Sequence, residues 1–166
     1  MITTDWLKKH GERLNHEFNL NGYVSIAGFF NADELAEIKE NKQRFIADVV
    51  PQMPESEVYY EDAADKSTLK QLQNMWAHDS FFGGMMAEGS KLTTLSEICL
   101  DEGVVPKNMQ YFNKHAGGGQ PTPPHQDGYF FHLTPNHAIT IWFALEDVEP
   151  EQGCVNYVQG SHKYGM

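Results

Sequence analysis

Pro123-Pro124-His125-Gln126-Asp127-Gly128-Tyr129 is the stretch around which the chain is organised. It follows a Gly/Pro-rich loop over 116–124 and precedes a run of aromatics. In an extended strand, residues i and i+2 share a face. A strand over 125–131 would therefore set the His125 imidazole beside the Asp127 carboxylate, with Gln126 turned the other way. An imidazole nitrogen and a carboxylate oxygen on one face are two thirds of the triad that holds non-heme Fe(II). Spacing alone leaves two readings open, because a lone His-x-Asp also arises as a surface pair or a satisfied core histidine. Context favours a site. A Gly/Pro loop before the motif and two β segments after it build the mouth of a jelly roll, where ligands commonly bind.

Working outward, the C-terminal side reads as strands and turns. Residues 109–113, 125–131, 138–146 and 154–158 are expected strands, and 134–136, 147–153 and 159–162 are turns. The loop over 116–124 is too short and too unlike a phosphate cradle to be a P-loop. On the N-terminal side the period is helical. Residues 4–20 form a first helix, capped by Thr4 or Asp5, weakened at Gly11 and closed by Gly22. A short strand is expected over 23–26. Asn31 then opens a second helix, with Glu34 placed for a capping box. Leu35, Ile38, Phe45, Ile46 and Val49 share its apolar face before Pro51 and Pro54 stop it. Short strands follow near 58–60 and 69–73. Asp79 and Gly89-Ser90 introduce two further helices, the second with Leu92, Leu95, Ile98 and Cys99 at helical spacing. The pattern predicts one α+β, mainly β domain over 1–166, with helices over about 1–103 and the first jelly-roll strands over about 104–166.

Composition narrows the partners. The chain has 166 residues, 40% hydrophobic and 21% charged, in the ordinary globular range. Its net charge of −11 repels phosphate backbones and anionic lipid, so neither nucleic acid nor a membrane is an expected partner. Cys99 and Cys154 lie far apart, which argues against a disulfide framework or a zinc ribbon. The N-terminus shows no basic segment followed by an apolar run, and a reducing, cytoplasmic compartment is the economical expectation.

Taken together, these segments resemble the phytanoyl-CoA dioxygenase family of Fe(II)/2-oxoglutarate oxygenases. The family's HxD motif corresponds to His125-Gln126-Asp127. Tyr129, Pro135 and Ile141-Trp142-Phe143-Ala144-Leu145 resemble its next conserved run. Gln152-Gly153-Cys154 and Gly160-Ser161-His162-Lys163 with Gly165 resemble its N-G-x and P-G-S-H-K-x-G segments, with Gln159 where the family has proline. Asn21-Gly22-Tyr23-Val24 through Phe29-Phe30 resembles its opening motif. The resemblance implies a double-stranded β-helix, a cupin-like jelly roll, with N-terminal helices. It implies His125 and Asp127 as iron ligands and catalytic centre, and Lys70, Gln110 and Trp142 as 2-oxoglutarate-binding residues. Lys114, on the strand of Gln110, is a further candidate. Fe(II) is then the cofactor, and 2-oxoglutarate, dioxygen and a small molecule with an aliphatic C–H are the reactants. By the same resemblance, His162 is a structural turn histidine.

Family members carry a distal iron histidine and a co-substrate arginine downstream of G-S-H-K. The chain reaches Met166 without them, so the expectation is an incomplete, inactive fragment lacking the C-terminal half of the jelly roll. Its open strand edges would favour self-association. Two rival readings remain: a non-catalytic cupin-like binding module, and a metal cupin that does not use 2-oxoglutarate.

Overall fold

The structure, a computed structural model, describes residues 1–114 and 122–165. His115 and most of the expected 116–124 loop lie outside the described residues.

The first helical region divides in two. Helix α1 spans Thr4–Lys9 and α2 spans Gly11–Asn21, with His10 between them. Glycine at 11 explains the break, since it is a poor helix former in an interior position. The cap is Thr3 rather than Thr4 or Asp5: its hydroxyl accepts from the Trp6 amide at 3.1 Å. Gly22 ends α2 in the left-handed region (φ 83°), and its amide donates to the Phe18 carbonyl.

Helix α3, Ala32–Arg44, starts at the expected capping box. The Asn31 side chain accepts from the Asp33 and Glu34 amides, and Glu34 accepts from the Asn31 amide at 2.8 Å. A π turn over Phe45–Val49 and a 3-10 turn over Val50–Gln52 carry the chain to Pro54. Strands β1 (Val58–Tyr60) and β2 (Leu69–Leu72) then pair antiparallel. Helices α4 (Met75–His78), α5 (Ser80–Met85) and α6 (Lys91–Leu100) follow, the last two capped by Asp79 and Ser90. Strand β3, Tyr111–Phe112, adds to β2 and gives a three-stranded antiparallel sheet in the order β1-β2-β3.

Two apolar clusters hold these elements. Leu7, Leu14, Phe29, Leu95 and Cys99 pack where α1 and α2 meet α6. Phe45, Val50, Met53, Leu69, Leu72, Met75 and Phe82 pack around the sheet. Full burial of a leucine or phenylalanine side chain contributes about 1.5–3 kcal/mol. Leu7, Leu14, Phe45 and Leu72 are each at most 1% exposed, so they are the anchors of the fold.

The expected strands after residue 104 are the main correction. Strand 109–113 shortens to Tyr111–Phe112. Residues 125–131 do not form a strand: Asp127 turns into the αR region and opens a short helix α7, Gly128–Phe131. Residues 23–26, 138–146 and 154–158 are without helix or ladder pairing. A strand needs backbone donors and acceptors paired across a ladder, and among the described residues ladder pairing joins only β1, β2 and β3. Helices with a small antiparallel sheet satisfy the α+β expectation, but the described residues build no jelly-roll sheet. Segment 138–144 nevertheless keeps a strand's two faces. Ile139 and Ile141 pack on the helical cluster and Phe143 meets the Phe30 ring edge-on at 5.0 Å, while Trp142 faces outward at 48% exposure. Among the described residues no helix is long and apolar enough to cross a membrane.

Candidate functional site

His125 and Asp127 do come together, by a different route from the one the sequence suggests. The chain is non-helical up to Gln126 and bends into α7 at Asp127 (φ −58°, ψ −33°). The bend sets Nε2 of His125 3.1 Å from Oδ1 of Asp127, with the two side chains 40% and 44% exposed. On its other edge the ring pairs through Nδ1 with the Pro123 carbonyl at 2.9 Å. The Phe130 ring meets the imidazole edge-on at 5.6 Å.

This arrangement asks for a cation. A carbonyl only accepts, so Nδ1 must carry the proton that it donates to Pro123. In the neutral ring Nε2 is then a lone pair facing a carboxylate oxygen, two acceptors 3.1 Å apart. The opposite tautomer moves the same conflict to Pro123. A proton or a metal ion at Nε2 removes it. Two ligands at a right angle on one metal, each about 2.1 Å away, are separated by about 3 Å. A backbone carbonyl on the far ring nitrogen is also the usual support of a ligating histidine. Among the described residues no third His, Cys, Asp or Glu joins the pair into a metal-binding cluster.

The surroundings are aromatic. Tyr157 stacks on Tyr23 with ring centroids 5.0 Å apart. Although the residue as a whole is 54% exposed, partial desolvation of its packed ring and the nearby Asp127 carboxylate push the phenol above its ordinary pKa. The signal that could have found Tyr157 is weak, since a single aromatic in an unpaired segment has no local pattern to mark it.

The other expected site residues have partners of their own. Lys70 lies in β2 and forms an ion pair with Glu61 at 3.0 Å. Gln110, just before β3, is exposed, and its carbonyl accepts from Gln71 Nε2 at 2.7 Å. Trp142 stands on the face of 138–144 turned away from the helices. Lys114 lies across Gly153, where a Cβ would fall 2.6 Å from Nζ. His162 is not near Asp127's carboxylate as a ligand would be. Its Nε2 pairs with the Asn19 carbonyl at 3.1 Å, and its ring fills the space left by the missing Cβ of Gly22. Other histidines pair elsewhere in the fold: His78 with Glu57, His137 with Glu102, and His10 stacked on Trp6.

Gln126 is the residue that sequence reasoning passed over. Its side-chain amide donates to the Gly165 carbonyl at 2.9 Å and the Ser161 carbonyl at 3.3 Å.

Comparison with known proteins places these features in a family. The family model described as phytanoyl-CoA dioxygenase matches residues 18–166. "Phytanoyl-CoA dioxygenase domain-containing protein 1" of Mus musculus is 24% identical, over 90% of this chain and 65% of the mouse protein. A "Probable alpha-ketoglutarate-dependent hypophosphite dioxygenase" of Stutzerimonas stutzeri is 25% identical, over 89% of this chain and 52% of that protein. "Phytanoyl-CoA dioxygenase 1" of Oryza sativa subsp. japonica is 24% identical, over 90% of this chain and 64% of the rice protein. The chain thus spans between about half and two thirds of the length of these relatives. No solved structure matches the chain.

Proposed function

The chain belongs to the phytanoyl-CoA dioxygenase family, and from that premise we propose that it carries the iron-binding pair of an Fe(II)/2-oxoglutarate-dependent dioxygenase acting on an aliphatic C–H of a small molecule. The observation that carries the reading is the His125–Asp127 contact. Nε2 and a carboxylate oxygen stand 3.1 Å apart with the far ring nitrogen held by a carbonyl, a spacing from which both can reach one divalent cation. Iron, when bound, supplies the oxidative chemistry, while the protein orients reactants and limits side reactions.

The chain's own residues have separable tasks. Nε2 of His125 and a carboxylate oxygen of Asp127 are the metal donors. The Pro123 carbonyl fixes the ring tautomer. Tyr157, stacked on Tyr23, adds an aromatic wall in the neighbourhood of Asp127. Lys70 and Gln110 supply a cation and an amide for the oxygens of 2-oxoglutarate, with Lys70 exchanging Glu61 for the co-substrate. Trp142 offers an apolar wall on the face opposite the helices.

Mn(II), a redox-stable stand-in for Fe(II), tests the reading through paramagnetic broadening of amide NMR signals. Broadening should centre on residues 123–131, its midpoint should fall when 2-oxoglutarate is added, and His125→Ala and Asp127→Ala should each abolish it. Broadening that is unchanged in His125→Ala favours the non-catalytic binding module. Broadening that 2-oxoglutarate does not affect favours a metal cupin of another kind.

A further inference from the structure

We infer that Gln126 is the positioning residue of the His125–Asp127 pair, and that it couples the pair to the C-terminal end of α2 through the 159–165 turn. The inference rests on the reading of the pair as a metal site.

The side chains of both proposed ligands are substantially exposed, so packing alone does not hold them. No residue over 122–165 is buried. What lies between the ligands is an amide with two donor hydrogens, and each hydrogen has an acceptor: Gly165 O at 2.9 Å and Ser161 O at 3.3 Å. The backbone carbonyl of Gln126 in turn accepts from the Tyr129 amide at 3.1 Å, in the bend that brings Asp127 back toward His125. Gln126 therefore ties down the point about which the two ligands converge.

The turn that accepts these bonds is itself docked. The last carbonyls of a helix have no intrahelical partner. At the end of α2 they are met from the turn: the Gly160 amide donates to Asn21 O at 2.7 Å, His162 Nε2 to Asn19 O at 3.1 Å, and Lys163 Nζ to Leu20 O at 3.3 Å. Gln159 Nε2 adds a bond to the Asn21 side chain at 2.6 Å. The cationic Lys163 also suits the negative end of the helix dipole. Gly22 leaves room for the imidazole, since any Cβ there would collide with the His162 ring. The Asn21-Gly22 and Gly160-Ser161-His162-Lys163 segments are thus two halves of one joint, and Gln126 connects that joint to the ligands.

The test uses Gln126→Met, which keeps the side-chain length, removes both donors and adds no hard oxygen ligand. His162→Phe keeps a ring against Gly22 but loses the bond to Asn19. Mn(II) broadening gives the metal midpoint, and amide hydrogen exchange reports the order of residues 125–131. Gln126→Met should raise the Mn(II) midpoint by about fivefold, the effect of one ordinary hydrogen bond. It should speed exchange over 125–131 while leaving α6 unchanged. His162→Phe should shift both readouts the same way by about twofold to threefold. If Gln126→Met only lowers the unfolding midpoint and binds Mn(II) as tightly as wild type, the contact is structural and the inference is overturned. That outcome differs from failure of the iron reading, in which His125→Ala itself broadens like wild type.

Discussion

Strand β2 and segment 138–144 make an instructive pair. In β2 the buried positions are Leu69 and Leu72, which breaks a two-residue period, and its register against β1 shifts between Tyr59 and Tyr60. Yet β2 is bonded on both sides, to β1 and to β3. Segment 138–144 keeps the period better, with Ile139, Ile141 and Phe143 on the helices and Trp142 outward, and it carries no ladder. Alternation therefore decides which side of a segment packs, while hydrogen-bonding neighbours decide whether it becomes a strand. The same contrast separates the two halves of the molecule. Every buried residue among the described ones lies at or before Cys99, and the candidate metal pair lies after it. The chemistry-bearing half takes its order from contacts with the packed half.

The contrast can be broken most forcefully in the core. Phe45→Ala empties a site with no solvent exposure and should cost about 3–5 kcal/mol in denaturant unfolding. Val158→Ala, at a residue 63% exposed, should stay within about 0.5 kcal/mol. Comparable losses would show that the second half has a core of its own. Next in size is Gly22→Ala. Its backbone is left-handed, a cost of about 1–2 kcal/mol for an L residue, and the new methyl group strikes the His162 ring. Its particular signature should be faster amide exchange over 159–165; if only α2 responds, the two halves are not joined there. Asn31→Ala removes a capping box wholly inside the packed half and should cost about 1 kcal/mol without altering exchange over 159–165.

The smallest effect is a pH dependence. Hydrogen bonds from Asn74 and His78 hold the Glu57 carboxyl below its ordinary pKa. A group depressed in the folded state contributes its stability above the unfolded pKa, and that contribution is lost as pH falls through the folded value. Glu57→Gln should therefore flatten the acid side of the thermal midpoint curve below about pH 4, leaving the neutral side nearly parallel to wild type.

Local signals in the sequence were sound where one segment supplies all the partners. The Asn31–Glu34 capping box, the Asp79 cap and the Gly22 terminus appear where composition places them, and the break at Gly89-Ser90 falls where α6 begins. The strand expected over 125–131 has no partner ladder, and the chain turns into α7 there instead. His125 and Asp127 were paired for the wrong reason: a bend, not strand parity, brings them together. Gln126 on the 159–165 turn and His162 on α2 were invisible, because both are contacts between residues far apart in the chain and leave no periodic trace.

The docked end of α2 also has a consequence in time. Asn19 and Asn21 meet their partners His162 and Gln159 across 143 and 138 residues. During synthesis at about 5–20 residues per second, the end of this helix leaves the ribosome about 7–30 s before the groups that close it. Through that interval its carbonyls are served by water, and the helix is held at its terminus only by the Gly22 turn. The nascent chain thus carries an open socket until residues 159–163 have been translated.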